Sequence, residues 1–239
     1  MDDLTKQRII QPGLLAELVG QDSLVFDIGA NIGRMTYQYL ALGARVVAVE
    51  PQTVCIQEEL EPRFGSSDRV CIVHAACGAE ATQATLTLYG HGSTISTLVP
   101  EHYWRKGGPW QNTPHDDTEV VDVITLDALI EQYGKPDFIK IDVEGYERQV
   151  LDGLSEFFPL SFEFHPAFAT QATECMERIL ELDPNVEFNY TQGESLTYAS
   201  PEWMNQNLMR DRIDGLYKQH GRVYFGNIYA RKMTCDAQH

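Results

Sequence analysis

Leu24-Val25-Phe26-Asp27-Ile28-Gly29-Ala30-Asn31-Ile32-Gly33 is a short apolar run that stops in a glycine-bearing turn. Ile32 to Leu42 follows with apolar residues at helical spacing, so the stretch reads as strand, turn and helix. The strand is apolar on both faces, as a strand buried inside a parallel sheet would be. Gly29 and Gly33 bracket the turn, where glycine permits a positive φ or a close approach of backbone to ligand. In open α/β sheets such junctions handle nucleotides.

Glycine spacing then separates two cofactor types. A dinucleotide fingerprint needs G-x-G-x-x-G, whereas here the order is Gly29-x-x-x-Gly33, with Asp27 two positions before the first glycine. The other Gly-x-Gly, Gly90-His91-Gly92, has Ile95 where a third glycine belongs. A cofactor without a pyrophosphate fits better. Asp27-x-Gly29-x-Asn31-x-Gly33 resembles the first motif of class I S-adenosylmethionine (SAM) methyltransferases. One strand later, Ala44-Arg45-Val46-Val47-Ala48-Val49-Glu50-Pro51 is β-rich and ends in an acid 23 residues after Asp27. An acid at about that separation, on a second strand's C-terminal tip, is where such folds bind a ribose diol. Hydrogen bonds to a charged carboxylate contribute about 1.5–3 kcal/mol, and the same charge would repel a 2′-phosphate.

The 239-residue chain is long enough for one α/β domain, taken here as 1–239, with flap insertions near 90–118 and 195–220. At 43% hydrophobic and 22% charged it is expected to bury a sizeable core. Lys and Arg number 18 against 35 Asp and Glu, a net charge of −17. That balance opposes attraction to nucleic acid and to anionic membranes, so nucleic-acid methylation is disfavoured. No run of about 18 apolar residues is present, and Met1-Asp2-Asp3 does not open a signal peptide. The expectation is a soluble cytoplasmic protein without a nucleic-acid partner or membrane insertion, its self-association left open. Cys55, Cys71, Cys77, Cys175 and Cys235 are odd in number and lack a C-x-x-C pair, so neither a disulfide framework nor a zinc site is signalled.

Along the chain, residues 7–20 read as an amphipathic helix interrupted at Pro12-Gly13, and Gln52 to Phe64 as a second helical stretch. Arg69 to Gly78 reads as a third strand whose tip carries small residues, which makes Ala76 and Cys77 candidates for the adenine site. Ala84 to Tyr89 is expected as a strand, followed by a hydroxyl-rich segment and a long irregular loop, Pro100 to Thr118. That loop carries Tyr103, Trp104 and Trp110 and reads as a substrate-side flap. Glu119 to Thr125 returns as a strand and Leu126 to Tyr133 as a helix. Thr170 to Leu182, Glu187 to Gln192, Pro201 to His220 and Arg222 to Arg231 are expected as helix, strand, helical insertion and final strand.

Pro136 to Glu147, PDFIKIDVEGYE, runs from a strand into a helix expected to end near Phe158. Asp142 falls at that strand's C-terminal end, so Asp142 and Glu144 are expected to face the ligand edge. They would neutralise a cation, hold a metal, or act as a base with a raised pKa. The first-turn preference for acids accounts for Glu147 but less well for Asp142. Ser161-Phe162-Glu163-Phe164-His165-Pro166 puts Glu163 and His165 on one face of a fifth strand, next to the tip bearing Asp142. His165 is a candidate general base near pH 7. Asp142, Glu144, Glu163 and His165 are residue types that suit an oxygen-rich Mg²⁺ site, but no metal-spacing motif demands one.

Phe26 to Gly33, Val49-Glu50-Pro51, Ala75 to Gly78, Ile124 to Asp127 and Ile139 to Glu147 together resemble the FkbM-type methyltransferase family, over about residues 24–165. The resemblance implies a Rossmann-like fold with a mostly parallel seven-stranded sheet, helices on both faces and a C-terminal antiparallel hairpin. It also implies methyl transfer from SAM, leaving S-adenosylhomocysteine (SAH), to a hydroxyl of a small molecule, sugar or secondary metabolite. Asp27, Gly29, Ala30, Asn31 and Gly33 would hold the methionine end, Glu50 with Pro51 the ribose, and Ala76 and Cys77 the adenine. Asp142, which also borders the cofactor, Glu144 or His165 would serve the acceptor. The rival readings are a non-catalytic SAM-binding or scaffold protein and an NAD-dependent oxidoreductase.

Overall fold

The computed structural model describes residues 13–90, 92–99, 117–193, 195–221 and 224–233. Among them the strands are β1 (Leu24–Ile28), β2 (Arg45–Glu50), β3 (Val70–His74), β4 (Ala76–Cys77), β5 (Thr82–Leu88), β6 (Asp117–Ile124), β7 (Phe138–Ile141), β8 (Leu160–Phe164), β9 (Val186–Gln192) and β10 (Gly226–Lys232). The helices are α1 (Gly13–Leu18), α2 (Arg34–Ala41), α3 (Thr53–Cys55), α4 (Glu61–Phe64), α5 (Leu126–Tyr133), α6 (Glu147–Asp152), α7 (Ala169–Leu182) and α8 (Gln206–His220). A π-helical turn, Ile56–Leu60, joins α3 to α4.

Seven strands form one sheet in the order β3-β2-β1-β7-β8-β10-β9. Every neighbour pair is parallel except those of β10, which runs antiparallel to both β8 and β9. This is the expected mostly parallel sheet with its antiparallel end. The order runs outward from β1 on one side and from β7 on the other, so the junction between these two strands is the topological switch point. β1 and β7 are buried at every position, because both sheet faces are covered. Leu24, Phe26, Ile28, Val47 and Val49 point to a core shared with α5, α6, α7 and α8. Val25, Val46 and Ala48 alternate to the other face and meet Leu14, Leu15, Tyr39, Leu60 and Phe64.

Three expectations need correction. The third strand does not continue from Arg69 to Gly78. It leaves the main sheet after His74, and Ala76–Cys77 pairs instead with β6 in a second, three-stranded sheet ordered β4-β6-β5. The helix expected to reach Phe158 covers only Glu147–Asp152. Glu144 and Gly145 both have positive φ, which delays its start. It ends where Gly153 lies so close to the Gly78 carbonyl that no side chain fits, and Ser155 N–H turns away to donate to Asp127. The last strand begins at Gly226, four residues later than expected. By contrast, Leu126–Tyr133 forms as read, its N-terminus capped by Thr125 accepting from Ala128 N–H.

Residues 7–12 of the first expected helix, most of the 90–118 flap including both tryptophans, and Cys235 lie outside the described residues. Within 195–220 the helical part is Gln206–His220. Among the described cysteines Cys55, Cys77 and Cys175 are buried and Cys71 is exposed. No helix of the described residues is long and apolar enough to cross a membrane.

Candidate active site

A cavity of about 420 Å³ opens at the C-terminal edge of the parallel strands, over the switch point. Its floor at one end is the turn after β1. Gly29 and Ala30 both donate their N–H to the Val49 carbonyl, at 2.9 and 3.0 Å, which ties the turn to β2. Gly29 has φ 76°, and a Cβ there would run into the Asp142 carbonyl oxygen. Asn31 also takes a left-handed φ of 48°. Gly33, at φ 78°, packs against Leu60 and Phe64, so the π-helical turn supports the second glycine.

Glu50 lines the cavity from the tip of β2. Its Oε2 accepts from Asn31 N–H at 2.7 Å and its Oε1 from Gln52 N–H at 2.9 Å. Burial raises its pKa above the ordinary carboxylate value, and those hydrogen bonds oppose the rise. A carboxylate offers about four acceptor positions, so Glu50 keeps acceptor capacity toward the cavity. Pro51, Ala76 and Cys77 also border the cavity. Burial pushes the Cys77 thiol up to about 12, which suits a packing role and not a reactive one.

Asp27 stands elsewhere. It is fully buried and does not border the cavity. Its Oδ2 accepts from Thr36 Oγ1 at 2.6 Å, and its Oδ1 lies 3.4 Å from Lys140 Nζ. Asp27, expected at the methionine end, is thus not among the residues that border the cavity. Lys140 Nζ sits between Asp27 and Asp142, 3.3 Å from Asp142 Oδ2, and donates to the Gly29 carbonyl at 3.3 Å. Burial alone would lower the Lys140 pKa, but the carboxylates of Asp142 and Asp27 outweigh it and hold the ammonium above the ordinary lysine range. A lysine inside the apolar run Phe138-Ile139-Lys140-Ile141 was the overlooked sign of this partner.

The far end of the cavity is acidic. Asp142 and Glu144 leave the tip of β7, Glu163 lies in β8 and His165 directly follows it, and β8 pairs with β7 as expected. His165 Nε2 stands 3.7 Å from Glu163 Oε2. Burial would lower the His165 pKa, but Glu163 reverses this and raises it. The imidazole is thus a stronger base, and more fully protonated near pH 7, than an ordinary histidine. Burial and the charges of Glu163, Asp142 and Glu147 raise Glu144 well above the usual carboxylate range. Beneath this end Glu147 is buried, with Oε1 accepting from Val143 and Gly145 N–H and Oε2 from Gln171 Nε2. Burial, then repulsion by Glu163, still places it at about 8. It is more than an acid in a first helical turn: it shapes the loop that presents Glu144.

The segment 93–98, between the two ends, covers the cavity. Ser93 carbonyl accepts from Asn31 Nδ2 at 3.3 Å and Gln52 Nε2 at 3.1 Å. Thr97 Oγ1 donates to the Glu144 carbonyl at 2.6 Å. The hydroxyl-rich composition of this segment was its only visible trace in the sequence.

The strand order with its antiparallel β10, the glycine turn at the switch point and the acid at the tip of β2 define a class I methyltransferase fold. A model of the methyltransferase FkbM domain matches residues 27–190, and the chain belongs to that family. No match is found among curated proteins. Among solved structures, the chain is 13% identical to precorrin-6y C5,15-methyltransferase from Geobacter metallireducens, with a TM-score of 0.46, over 92% of this chain and 86% of that one. A putative rRNA-methylase from Clostridium thermocellum is 10% identical with a TM-score of 0.44, over 95% and 99% of the two chains. Spermidine synthase from Thermotoga maritima is 13% identical with a TM-score of 0.41, over 92% of this chain and 55% of that one.

Proposed function

We propose that the chain transfers the methyl group of SAM to a hydroxyl of a small molecule, sugar or secondary metabolite. One observation carries this reading. A single cavity joins the Gly29–Gly33 turn and Glu50 to the cluster of Glu144, Glu163 and His165, so a nucleoside site and a proton-accepting site face one space. Its lining fits a sulfonium nucleoside: Glu50, Asp142, Glu144 and Glu163 outnumber Lys140 and Arg34, and Glu50 keeps acceptor capacity beyond its two N–H bonds.

Bound SAM supplies an electrophilic methyl that an oxygen nucleophile displaces in line. The residues of this chain have three tasks. Glu50 accepts from the ribose hydroxyls. Asp142, held by Lys140, faces the cationic methionine end, while the turn backbone from Gly29 to Asn31 fixes its position. Glu144, Glu163 and His165 receive the acceptor hydroxyl and take up its proton. Fixing nucleophile and methyl in line supplies roughly 7–11 kcal/mol of barrier reduction, so placement is the larger part of the work.

Mass spectrometry of the purified protein for carried-over SAM or SAH, followed by calorimetry with SAH and NAD, tests the reading. SAH is expected to bind, and Glu50→Gln to weaken it about ten- to hundredfold. Binding of NAD with no response to SAH would overturn the assignment. A labelled-methyl screen of hydroxyl compounds then identifies the acceptor, and a protein that binds SAH but methylates none of them is the non-catalytic alternative.

A further inference from the structure

Glu144, Glu163 and His165 come from two different strand tips, yet each places one donor atom within 4.8 Å of the other two. We propose that these three side chains form a divalent-cation site of the Mg²⁺ and Mn²⁺ class at the acceptor end of the cavity. The inference rests on the methyltransferase reading for its purpose but not for its chemistry.

Three features point to a ligand. Glu163 Oε2 is shut off from solvent and accepts no hydrogen bond. The Glu163 side chain is only 11% exposed, and its nearest cation-forming neighbour, His165 Nε2, stands at 3.7 Å, too far for a hydrogen bond. Two donors of one ion, each about 2.1 Å from it, lie roughly 3–4 Å apart, so an ion between them fits that gap. Finally, the only ammonium bordering this end of the cavity among the described residues, Lys140, is committed to Asp27, Asp142 and the Gly29 carbonyl. Glu144 and Glu163 share one imidazole between them, and the charge of Glu163 disfavours ionisation of Glu144; a dication between them relieves that repulsion.

Two carboxylates with one imidazole suit an oxygen-preferring ion that tolerates nitrogen, which favours Mn²⁺ as the probe. An octahedral ion held by three protein donors keeps positions open toward the cavity. An acceptor hydroxyl bound there would lose its proton at a lower pH.

The test uses the full chain after dialysis against EDTA, titrated with Mn²⁺ alone and followed by electron paramagnetic resonance of the free ion. One equivalent is expected to bind, with echo modulation from a coordinated nitrogen that changes when histidine is ¹⁵N-labelled. Glu163→Gln is expected to weaken Mn²⁺ at least about tenfold. No stoichiometric binding, binding without histidine modulation, or an affinity unchanged in a folded Glu163→Gln variant would each overturn the site. If that variant does not fold, the isotope experiment on the unaltered chain still decides. Calorimetry of SAH on the same EDTA-treated protein separates the two ideas: SAH bound without Mn²⁺ sinks only the cation site, and failure of SAH sinks the methyltransferase reading.

Discussion

The two ends of the cavity are built on opposite principles. At the cofactor end every acid has a partner: Glu50 holds two backbone N–H groups, and Asp27 holds Thr36 and Lys140. At the acceptor end burial raises the pKa of Glu144, Glu147 and Glu163, and nearby carboxylates, Asp142 among them, add to each rise. The first end is finished in the folded chain, as a preorganised binding surface must be. The second crowds buried acids around the space proposed for the acceptor, and stability is lower for it. Substitutions at the first end should therefore cost folding and cofactor affinity together, whereas those at the second should separate folding from turnover.

The largest effect is expected at Gly29. Alanine there would hold a left-handed φ and press its Cβ on the Asp142 carbonyl oxygen, a backbone atom that cannot swing aside. A loss of about 5 kcal/mol or more is expected in urea unfolding, enough to consume much of a typical domain's stability. A Gly29→Ala variant of near-native stability would show that the turn is not locked as described. Next comes Lys140→Met. It strands Asp27 as a buried carboxylate with only Thr36 as partner, and removing one member of a buried pair costs about 3 kcal/mol or more. SAH affinity should fall with it, because Asp142 and the Gly29 carbonyl lose their tether. If stability drops while SAH binds normally, Lys140 supports the fold and not the cofactor.

This contrast also explains what could be read from the sequence. The glycine turn, Glu50, the sheet with its antiparallel end and the helix Leu126–Tyr133 were legible because each leaves a local mark: a φ only glycine adopts easily, an acid at a strand tip, a helical period with a capping Thr125. The positions of Asp142, Glu144 and His165 at one cavity followed from β7 and β8 being neighbours. The break at Ala75 was not legible, since Arg69 to Gly78 is uniformly β-prone and only pairing with β6, 47 residues away in the register, Ala76 with Val123, divides it. Nor was the burial of Asp27, because the ion pair that satisfies it comes from residue 140. Non-local pairing of charges has no periodicity to betray it.

At Glu147 the acceptor end makes stability depend on pH. Its pKa is about 8 in the fold against 4.5 for an ordinary glutamate. Between these values the native state binds more protons than the unfolded one. The contribution to stability is thus fully present below pH 4.5 and is lost as pH rises to about 8, at up to about 1.4 kcal/mol per pH unit. Glu147→Gln should flatten the melting temperature over that window while keeping the loop that its carboxylate organises. An unchanged slope would assign the pH dependence to Glu144 or Glu163 instead.

The smallest effect has the most telling sign. Glu144→Gln removes an acid whose ionised form is opposed by burial and by its acidic neighbours without changing volume, so in the presence of EDTA it is expected to stabilise the fold by about 1 kcal/mol. No equivalent gain is expected for Glu50→Gln, whose carboxylate already accepts two N–H groups. Saturating Mn²⁺ should reverse the order, because an ion held only by the native state adds stability that grows with the logarithm of its concentration relative to its Kd. The unaltered chain would then melt above Glu144→Gln. Methyl transfer by the variant should be reduced in both conditions. Stabilisation that persists unchanged with Mn²⁺ present would mean that repulsion at this end is relieved by protons alone, and the acceptor would then meet a protonated acid cluster in place of a cation.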